Sequence, residues 1–267
     1  MKIAVSQLVA PGDMGMEAFA DKAKATGYDG VELSLRPANS PLTYDTTDAQ
    51  LKEFKQLFAQ RSLEIFSTTF SAKSGNLLDS GTAAQEAIDQ TIFGLETTAK
   101  LGSKIMLHTL GRFTADLYYE DAYNNAIANL KKLAASAEKL NVTIAIEFIW
   151  NGFLFSPLEM RNLLEAIGSN NVGFYFDPGN MAIFQKPEHW ARTLGPFIKQ
   201  VHLKDWKGRP LNGGWTPLLQ GGIDFAAVMA ELHRAGYAGP LVSEVVRSLA
   251  PWPETAKTMR QIGRLTA

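Results

Sequence analysis

The sequence predicts an α/β protein that folds as a single (β/α)8 barrel, also called a TIM barrel. Short runs rich in valine, isoleucine and phenylalanine alternate eight times with longer segments of helical periodicity. This alternation is typical of parallel strands joined by crossover helices. The chain has 267 residues, of which 46% are hydrophobic, and one such barrel needs about 250 residues with a substantial core. We therefore expect one barrel domain over residues 1–267.

The first half of the chain contains four of the predicted strand and helix pairs. The strands are expected at Lys2 to Gln7, Gly30 to Leu35, Leu63 to Phe70 and Lys104 to Thr109. The helices are expected at Met16 to Thr26, Asp48 to Gln60, Thr82 to Leu101 and Leu117 to Leu140. Asp48 has the side chain of a helix cap. Thr82 with Gln85 three residues later resembles a capping box.

The second half of the chain continues the alternation and adds a glycine-rich stretch. The strands are expected at Thr143 to Phe148, Val172 to Asp177, Ile198 to Asp205 and Pro240 to Val246. The helices are expected at Ser156 to Ile167, around His189, from the cap Asp224 to Arg234, and at Pro253 to Leu265. The segment Gly208 to Gly222 contains two glycine pairs, and we interpret it as a mobile lid.

Each of the last four strands carries one potential metal ligand near its carboxyl end. These residues are Glu147, Asp177, His202 and Glu244. A single carboxylate at a strand end is as often a loop cap or an ion-pair partner. Four in succession are harder to explain that way, because the carboxyl ends of barrel strands meet on one face. Three carboxylates and one imidazole suit Mn, Mg or Co better than a structural zinc, although zinc remains possible.

The segments around these four residues resemble the metal-bearing segments of the xylose-isomerase-like barrel superfamily. Within it the chain is most similar to the sugar isomerases and epimerases related to tagatose and psicose 3-epimerases, hydroxypyruvate isomerase and inosose dehydratase. The resemblance runs nearly end to end. It rests on Ile146-Glu147-Phe148, Phe176-Asp177-Pro178-Gly179-Asn180, Val201-His202-Leu203-Lys204-Asp205, Val242-Ser243-Glu244-Val245 and Gly27-Tyr28-Asp29-Gly30-Val31-Glu32-Leu33.

The resemblance implies a metal-dependent epimerase or isomerase of a ketose or keto-sugar, with manganese as the expected ion. Glu147 and Glu244 would then be the two acid/base residues, and protons would move through a metal-stabilised enediolate. Asp177 and His202 would act chiefly as ligands. A dehydratase of a keto-inositol or keto-sugar is the alternative with the same groups, and a non-catalytic sugar-binding barrel is a further one. An endonuclease of the endonuclease IV type is disfavoured, because it needs more histidines at strand ends than this chain has.

Five further residues are candidates for substrate binding. Glu32 is on the face of its strand that should point into the barrel, where an ion pair with an arginine is the alternative. His108 ends the fourth strand, and a structural histidine is the alternative there. Asn180 stands where many relatives have a histidine, and it can donate a hydrogen bond but cannot carry a proton at neutral pH. Lys204 and Arg209 follow His202 and would orient substrate oxygens, and an inward lysine paired with a carboxylate is the alternative for Lys204.

The composition narrows the classes of partner. The net charge is −1, so no bulk attraction to nucleic acid or to an anionic membrane is expected. The chain has no cysteine, which excludes disulfides and thiolate metal sites. No apolar run reaches the length of a membrane span or a signal peptide. We expect a cytoplasmic protein with a small sugar as its partner. The aromatic loop after Glu147 favours a homo-oligomer, and the family resemblance implies a dimer or a tetramer.

Overall fold

Eight parallel strands close into a barrel in the computed structural model, which describes residues 1–210 and 212–265. The strands follow one another around the barrel in chain order, and the first strand pairs with both the second and the last. The predicted (β/α)8 fold class is therefore confirmed. The barrel strands are β1 (Ile3–Ser6), β2 (Gly30–Arg36), β3 (Glu64–Phe70), β4 (Ile105–His108), β5 (Thr143–Glu147), β6 (Val172–Phe176), β7 (Ile198–Leu203) and β8 (Leu241–Ser243).

Helices follow the strands and pack on the outside of the barrel. The main helices are α1 (Met16–Ala25), α2 (Asp48–Gln60), α3 (Gly81–Leu101), α4 (Tyr119–Leu140), α5 (Pro157–Ile167), α6 (Pro187–Leu194), α7 (Phe225–Arg234) and α8 (Trp252–Ile262). Smaller elements are a helix at Pro178–Ala182, 3-10 turns at Gln7–Val9 and Gly195–Phe197, a strand at Leu42–Thr43 beside β2, and an antiparallel hairpin of Asp205–Arg209 with Asn212–Thr216.

Two helix caps differ from the sequence prediction. The cap of α2 is Thr47 rather than Asp48, because the Thr47 hydroxyl accepts from the Gln50 backbone while the Gln50 side chain accepts from the Thr47 backbone. The capping box predicted at Thr82 does not form. Helix α3 begins one residue earlier, at Gly81, and its N-cap makes no side-chain hydrogen bond. Both differences concern single residues at helix ends, where sequence signals are weakest.

Along each strand, successive side chains point alternately into the barrel and toward the helices. On β4, Leu107 packs against Ala145 and Tyr175 within the barrel. Met106 lies on the other face and contacts the α3 helix at Gly94, where an added Cβ would come within 2.9 Å of its sulfur. Inward and outward positions are thus set by a two-residue period. This period decides which polar side chains reach the active face.

Trp190 of α6 connects the outer helices to the strands that carry the candidate ligands. Its side chain is fully buried and packs on Phe148 and Phe174, with ring centroids 5.1 and 6.0 Å away. The indole nitrogen donates a hydrogen bond to Gln185 over 2.8 Å. Phe148 is the residue after Glu147, so this packing also supports the carboxyl end of β5.

We expect Trp190→Ala to lower the free energy of unfolding by about 3–5 kcal/mol, because it removes a large buried side chain and leaves a cavity. The matched control is Tyr118→Ala, whose side chain is 81% exposed and should change stability by no more than about 0.5 kcal/mol. Urea unfolding of both variants measures the difference. Equal stabilities for the two variants would contradict this account of the core.

Candidate metal centre and active site

The structure brings the four predicted metal ligands together at the carboxyl ends of β5 to β8. Glu147, Asp177, His202 and Glu244 each offer one ligand atom, and these atoms all lie within 4.8 Å of one another. Glu147 ends β5, Asp177 follows β6, His202 is in β7 and Glu244 follows β8. The convergence follows from closure of the barrel, which brings strand ends almost 100 positions apart in the chain to the same face.

His202 is oriented by a carboxylate beneath it. Its Nε2 donates to Glu32 over 2.8 Å, and its Nδ1 faces Glu147 at 3.5 Å and Glu244 at 3.3 Å. Burial acts to lower the pKa of His202, but the charges of Glu32 and Glu244 outweigh it and raise that pKa well above its usual range. The raised pKa means that Nδ1 carries a proton as well as Nε2. A metal ion bound at Nδ1 would take the place of that proton.

Glu32 lies below the four-residue cluster rather than at its surface. Its side chain is fully buried and accepts hydrogen bonds from Ser67 at 2.7 Å and from the Tyr175 hydroxyl, besides the one from His202. The inward orientation predicted for Glu32 is thus observed, and its ion-pair partner is His202 rather than an arginine. Through this hydrogen bond, the enclosed carboxylate fixes the orientation of the His202 ring. Ser67 and Tyr175 were missed by the sequence reasoning, although both occupy inward strand positions.

We expect Glu32→Gln to weaken the binding of a divalent cation by about 10–100-fold, because the partner of a ligating histidine sets its orientation and basicity. Glutamine keeps the size of the side chain but loses the charge that holds the Nε2 proton. Isothermal titration calorimetry with Mn²⁺ measures the effect. Glu64→Gln is the control, because Glu64 is half exposed and pairs with Lys2. Unchanged affinity in Glu32→Gln would contradict the positioning role.

Lys204 neutralises two of the four candidate ligands. Its ammonium nitrogen lies 2.7 Å from Asp177 Oδ2 and 2.7 Å from Glu244 Oε2, and 5.2 Å from the centre of the Trp215 ring. Burial acts to lower the pKa of Lys204, but Asp177 and Glu244 outweigh it and raise that pKa above the ordinary value. Lys204 therefore stays protonated. Its position beside the cluster agrees with the sequence prediction.

Asn180 holds the carboxylate of Glu147. Its side-chain nitrogen donates to Glu147 Oε1 at 3.1 Å and to the carbonyl oxygen of Phe148 at 3.0 Å. Asp177 Oδ1 caps the short helix that carries Asn180, because it accepts from the Gly179 amide at 2.9 Å. A Cβ at Gly179 would come within 2.6 Å of Lys204. The turn needs glycine there because two active-face segments touch.

The two glutamates have different electrostatic surroundings. Burial raises the pKa of Glu147 to about 7. Burial also opposes ionisation of Glu244, but the charges of Lys204 and His202 outweigh it and hold the pKa of Glu244 at about 2. A bound divalent cation would lower both pKa values. Titratable groups whose surroundings separate their pKa values are typical of acid/base pairs.

His108 and Arg209 are not brought to the cluster. His108 faces α3: its Nδ1 accepts from the Leu110 amide at 2.8 Å, and its Nε2 lies 3.1 Å from the Thr91 hydroxyl. Both ring nitrogens are therefore used within the protein, which favours a structural histidine, the alternative to a substrate contact. Arg209 is exposed at the tip of the hairpin. At a strand rise of about 3.3 Å per residue, it lies about 16 Å of chain beyond Lys204.

Three tryptophans form a wall beside the cluster. Trp150 stacks on Trp215 with ring centroids 5.3 Å apart, and Trp206 meets Trp215 edge to face at 5.2 Å. Trp150 donates from its indole nitrogen to the Asn180 carbonyl oxygen at 3.0 Å. The glycine-rich stretch interpreted as a lid contributes to this wall through the hairpin. One residue of that stretch, Leu211, lies outside the described residues.

The donor set fits a divalent cation. Asp177 Oδ2, His202 Nδ1 and Glu244 Oε2 are buried atoms that lie close together. The Lys204 ammonium lies 2.7 Å from each of the two carboxylate oxygens. Because the two carboxylates share this one ammonium, they keep lone pairs that a cation could use. Three carboxylates and one imidazole form an oxygen-rich set that hard divalent ions prefer.

Comparison with known proteins supports the family assignment. The sequence model of the xylose isomerase-like TIM barrel family matches residues 20–262. This chain belongs to that family. A relative named probable L-ribulose-5-phosphate 3-epimerase, from Mycoplasma pneumoniae, is 25% identical over 254 residues, which cover 92% of this chain and 82% of the relative. The resemblance seen in the sequence is confirmed, and the epimerases among its relatives make the chain an enzyme.

Solved structures share the fold. A D-psicose 3-epimerase from Clostridium cellulolyticum H10, with D-tagatose, has a TM-score of 0.83 and 15% identity, covering 99% of this chain and 98% of its own. The IOLI protein with a bound zinc atom has a TM-score of 0.80 and 17% identity, covering 98% and 96%. No helix within the described residues combines the length and apolar character that a membrane crossing requires.

Proposed function

We propose that this enzyme is a divalent-metal-dependent sugar epimerase of the ketose 3-epimerase type, acting on a ketose or keto-sugar. The observation that carries the proposal is the convergence of two glutamates from separate strands. Glu147 and Glu244 both lie within 3.5 Å of the His202 Nδ1 atom, and their pKa values are held apart. Two carboxylates at one position suit a reaction in which one removes a proton from carbon and the other returns one.

A cation at this site would be held by Glu147, Asp177, His202 and Glu244. It would supply Lewis-acid stabilisation of the negative charge that develops on a substrate oxygen when the neighbouring carbon loses its proton. We propose manganese as the ion, because the donor set is rich in oxygen. Magnesium, cobalt and zinc are the other candidates.

The protein's own residues would then carry out the proton transfers. One glutamate takes the proton from one face of the sugar carbon, and the other delivers a proton to the opposite face, which inverts the centre. Asn180 keeps the Glu147 carboxylate in place through its 3.1 Å hydrogen bond. Lys204 donates to a substrate oxygen beside Glu244. The tryptophan wall keeps water from the reacting carbon.

The test is incubation with a panel of ketoses and keto-sugars in deuterated water, followed by proton NMR. We expect deuterium to enter at one carbon together with inversion at that carbon, and we expect both to stop when a chelator is added. Transfer to the adjacent carbon would instead identify an aldose–ketose isomerase. Loss of a hydroxyl group would identify a dehydratase. Absence of exchange with every sugar tested would contradict the proposal.

The proposal also covers the domain organisation, the cellular location and the oligomeric state of the enzyme. We propose that residues 1–267 act as one domain and that the protein works in the cytoplasm, as an enzyme of small-sugar metabolism. We also propose a homo-oligomer, either a dimer or a tetramer, because Trp150, Phe155 and Phe184 are 37–46% exposed near the barrel mouth and exposed apolar patches mark association sites. Sedimentation equilibrium tests the oligomer, and cell fractionation tests the location.

A further inference from the structure

A layer of polar side chains lies inside the barrel, one step below the four candidate ligands. Tyr175 of β6 stands two residues before Asp177, and Gln200 of β7 stands two residues before His202. The strand period of two gives each pair the same inward direction, and the register of the two strands pairs Tyr175 with Gln200. Tyr175 is fully buried. The proton transfers described above give it no part.

The Tyr175 hydroxyl is one of the groups that enclose Glu32. Among the described residues, three donors reach this carboxylate. His202 Nε2 donates to Oε1 at 2.8 Å, whereas the hydroxyls of Ser67 and Tyr175 both donate to Oε2, that of Ser67 at 2.7 Å. The four residues come from β2, β3, β6 and β7, so these hydrogen bonds cross the barrel interior. Because Oε2 is held by two donors, Oε1 stays directed at His202.

The Tyr175 ring also contacts the imidazole that Glu32 holds. The ring centroids of Tyr175 and His202 are 4.4 Å apart, and the ring planes are inclined by 52°. One residue therefore contacts both members of the Glu32–His202 pair. Rotation of the His202 ring would carry Nδ1 away from Glu147 and Glu244, which lie 3.5 and 3.3 Å from it. The hydroxyl, through Glu32, and the ring both oppose that rotation.

The hydroxyl of Tyr175 is not needed to fill the barrel. A phenylalanine ring would occupy the same space, and a hydroxyl group inside a protein costs free energy unless it is hydrogen-bonded. The bond that Tyr175 makes goes to a fully buried carboxylate, and hydrogen bonds to charged groups are stronger than those between neutral groups. This contact indicates a function beyond packing.

We propose that Tyr175 is a positioning residue of the candidate metal centre, because its hydroxyl and its ring together fix the Glu32–His202 pair. The inference rests on the proposed metal dependence of the enzyme. A group behind a ligating histidine sets the orientation of the imidazole and changes the affinity for metal without touching the metal. Tyr175 acts one step further back, through Glu32.

The test is a double-mutant cycle of Tyr175→Phe and Glu32→Gln, with the affinity for Mn²⁺ measured by isothermal titration calorimetry. Tyr175→Phe keeps the ring and removes the hydroxyl, and we expect it to weaken Mn²⁺ binding by about tenfold. In the Glu32→Gln background the same change should alter the affinity by less than about twofold, because the hydroxyl acts through the Glu32 charge. Equal losses in the two backgrounds, or no loss in either, would overturn the positioning role.

Two further variants complete the cycle. Tyr237→Phe is the matched control, because it removes another buried hydroxyl, which donates to the Pro240 carbonyl oxygen at 2.6 Å. It should bind Mn²⁺ as the wild-type chain does. Ser67→Ala removes the second donor to Glu32 Oε2 and should weaken binding by about three- to tenfold, again only while Glu32 is present. The test therefore does not depend on the folding of a single variant.

A measurement without metal separates this inference from the proposed function. In cation-free protein labelled with [15N]histidine, we expect the Nε2 proton of His202 to exchange with solvent at least about tenfold faster in Tyr175→Phe than in the wild-type chain. A wild-type chain that binds no divalent cation but shows this difference would retain the positioning role and contradict the metal-dependent function. Unchanged exchange and unchanged Mn²⁺ affinity in Tyr175→Phe would retain the metal site and contradict the positioning role.

Discussion

Replacement of Glu147 or Glu244 by glutamine should lower the turnover number for the epimerised sugar by about 10²–10⁴-fold, the usual contribution of a positioned acid or base. Glutamine keeps the length of the side chain and an oxygen that can face a cation, but it cannot accept or deliver a proton. Both side chains lie at the His202 Nδ1 atom, so each would reach the same substrate carbon. Steady-state epimerisation of the reactive sugar, followed by NMR, gives the turnover number.

The two variants should also differ in which epimer exchanges its proton with solvent. In Glu147→Gln only Glu244 remains as a base, so only the epimer whose C–H bond points at Glu244 should incorporate deuterium, without inversion. Glu244→Gln should show the opposite selectivity. Glu231→Gln is the control, since Glu231 is a buried carboxylate that binds Arg192 on the outer helices. Full activity in either active-site variant would contradict the two-base mechanism.

Removal of divalent cations should abolish turnover and lower the midpoint of thermal unfolding. The free protein keeps three carboxylates and a histidine within 4.8 Å, with Lys204 and His202 as their counter-charges. A cation at about 100 times its dissociation constant adds about 2.7 kcal/mol of stability. For a chain of this size that corresponds to about 5–10 °C in the unfolding midpoint. Calorimetric scans with a chelator, and then with excess Mn²⁺, measure both states.

A matched pair of variants separates binding at the site from general effects of salt. Asp177→Asn removes one charge from the donor set, and its unfolding midpoint should respond much less to Mn²⁺. Glu231→Gln removes one buried charge outside the donor set and should respond as the wild-type protein does. Turnover that survives exhaustive chelation, or an unfolding midpoint insensitive to every divalent ion, would show that the cluster does not bind a cation.

The sequence predicted both the barrel and the four candidate ligands because their signals are local. A strand end is visible in a short window, and the regular succession of strands implies that those ends meet. The inward orientation of Glu32 also followed from the two-residue period. Its partner did not, because His202 lies 170 residues away and a nearby arginine was the only local alternative.

The differences from the sequence predictions have two origins. His108 carries a polar side chain at a strand end, but it shares the face of Met106, as the sequence indicates, and both side chains face α3. Arg209 stands only seven residues after His202, yet the hairpin carries it away from the cluster. Asp48 has a capping side chain, but the reciprocal bonds of Thr47 and Gln50 start the helix one residue earlier. For His108 and Arg209 the residue type was suitable, but the tertiary structure set the direction of the side chain, whereas the Thr47–Gln50 capping box is a local signal.

The sequence by itself determined the fold class, the family and the identity of the four candidate ligands, because hydrophobic periodicity and short motifs depend only on neighbours along the chain. The tertiary structure decided which other side chains join them. Closure of the barrel put Glu32 under His202, Lys204 between Asp177 and Glu244, and Asn180 against Glu147. It also placed the Tyr175 hydroxyl against Glu32. These contacts join residues on different strands, and only the packed barrel sets the distances between them.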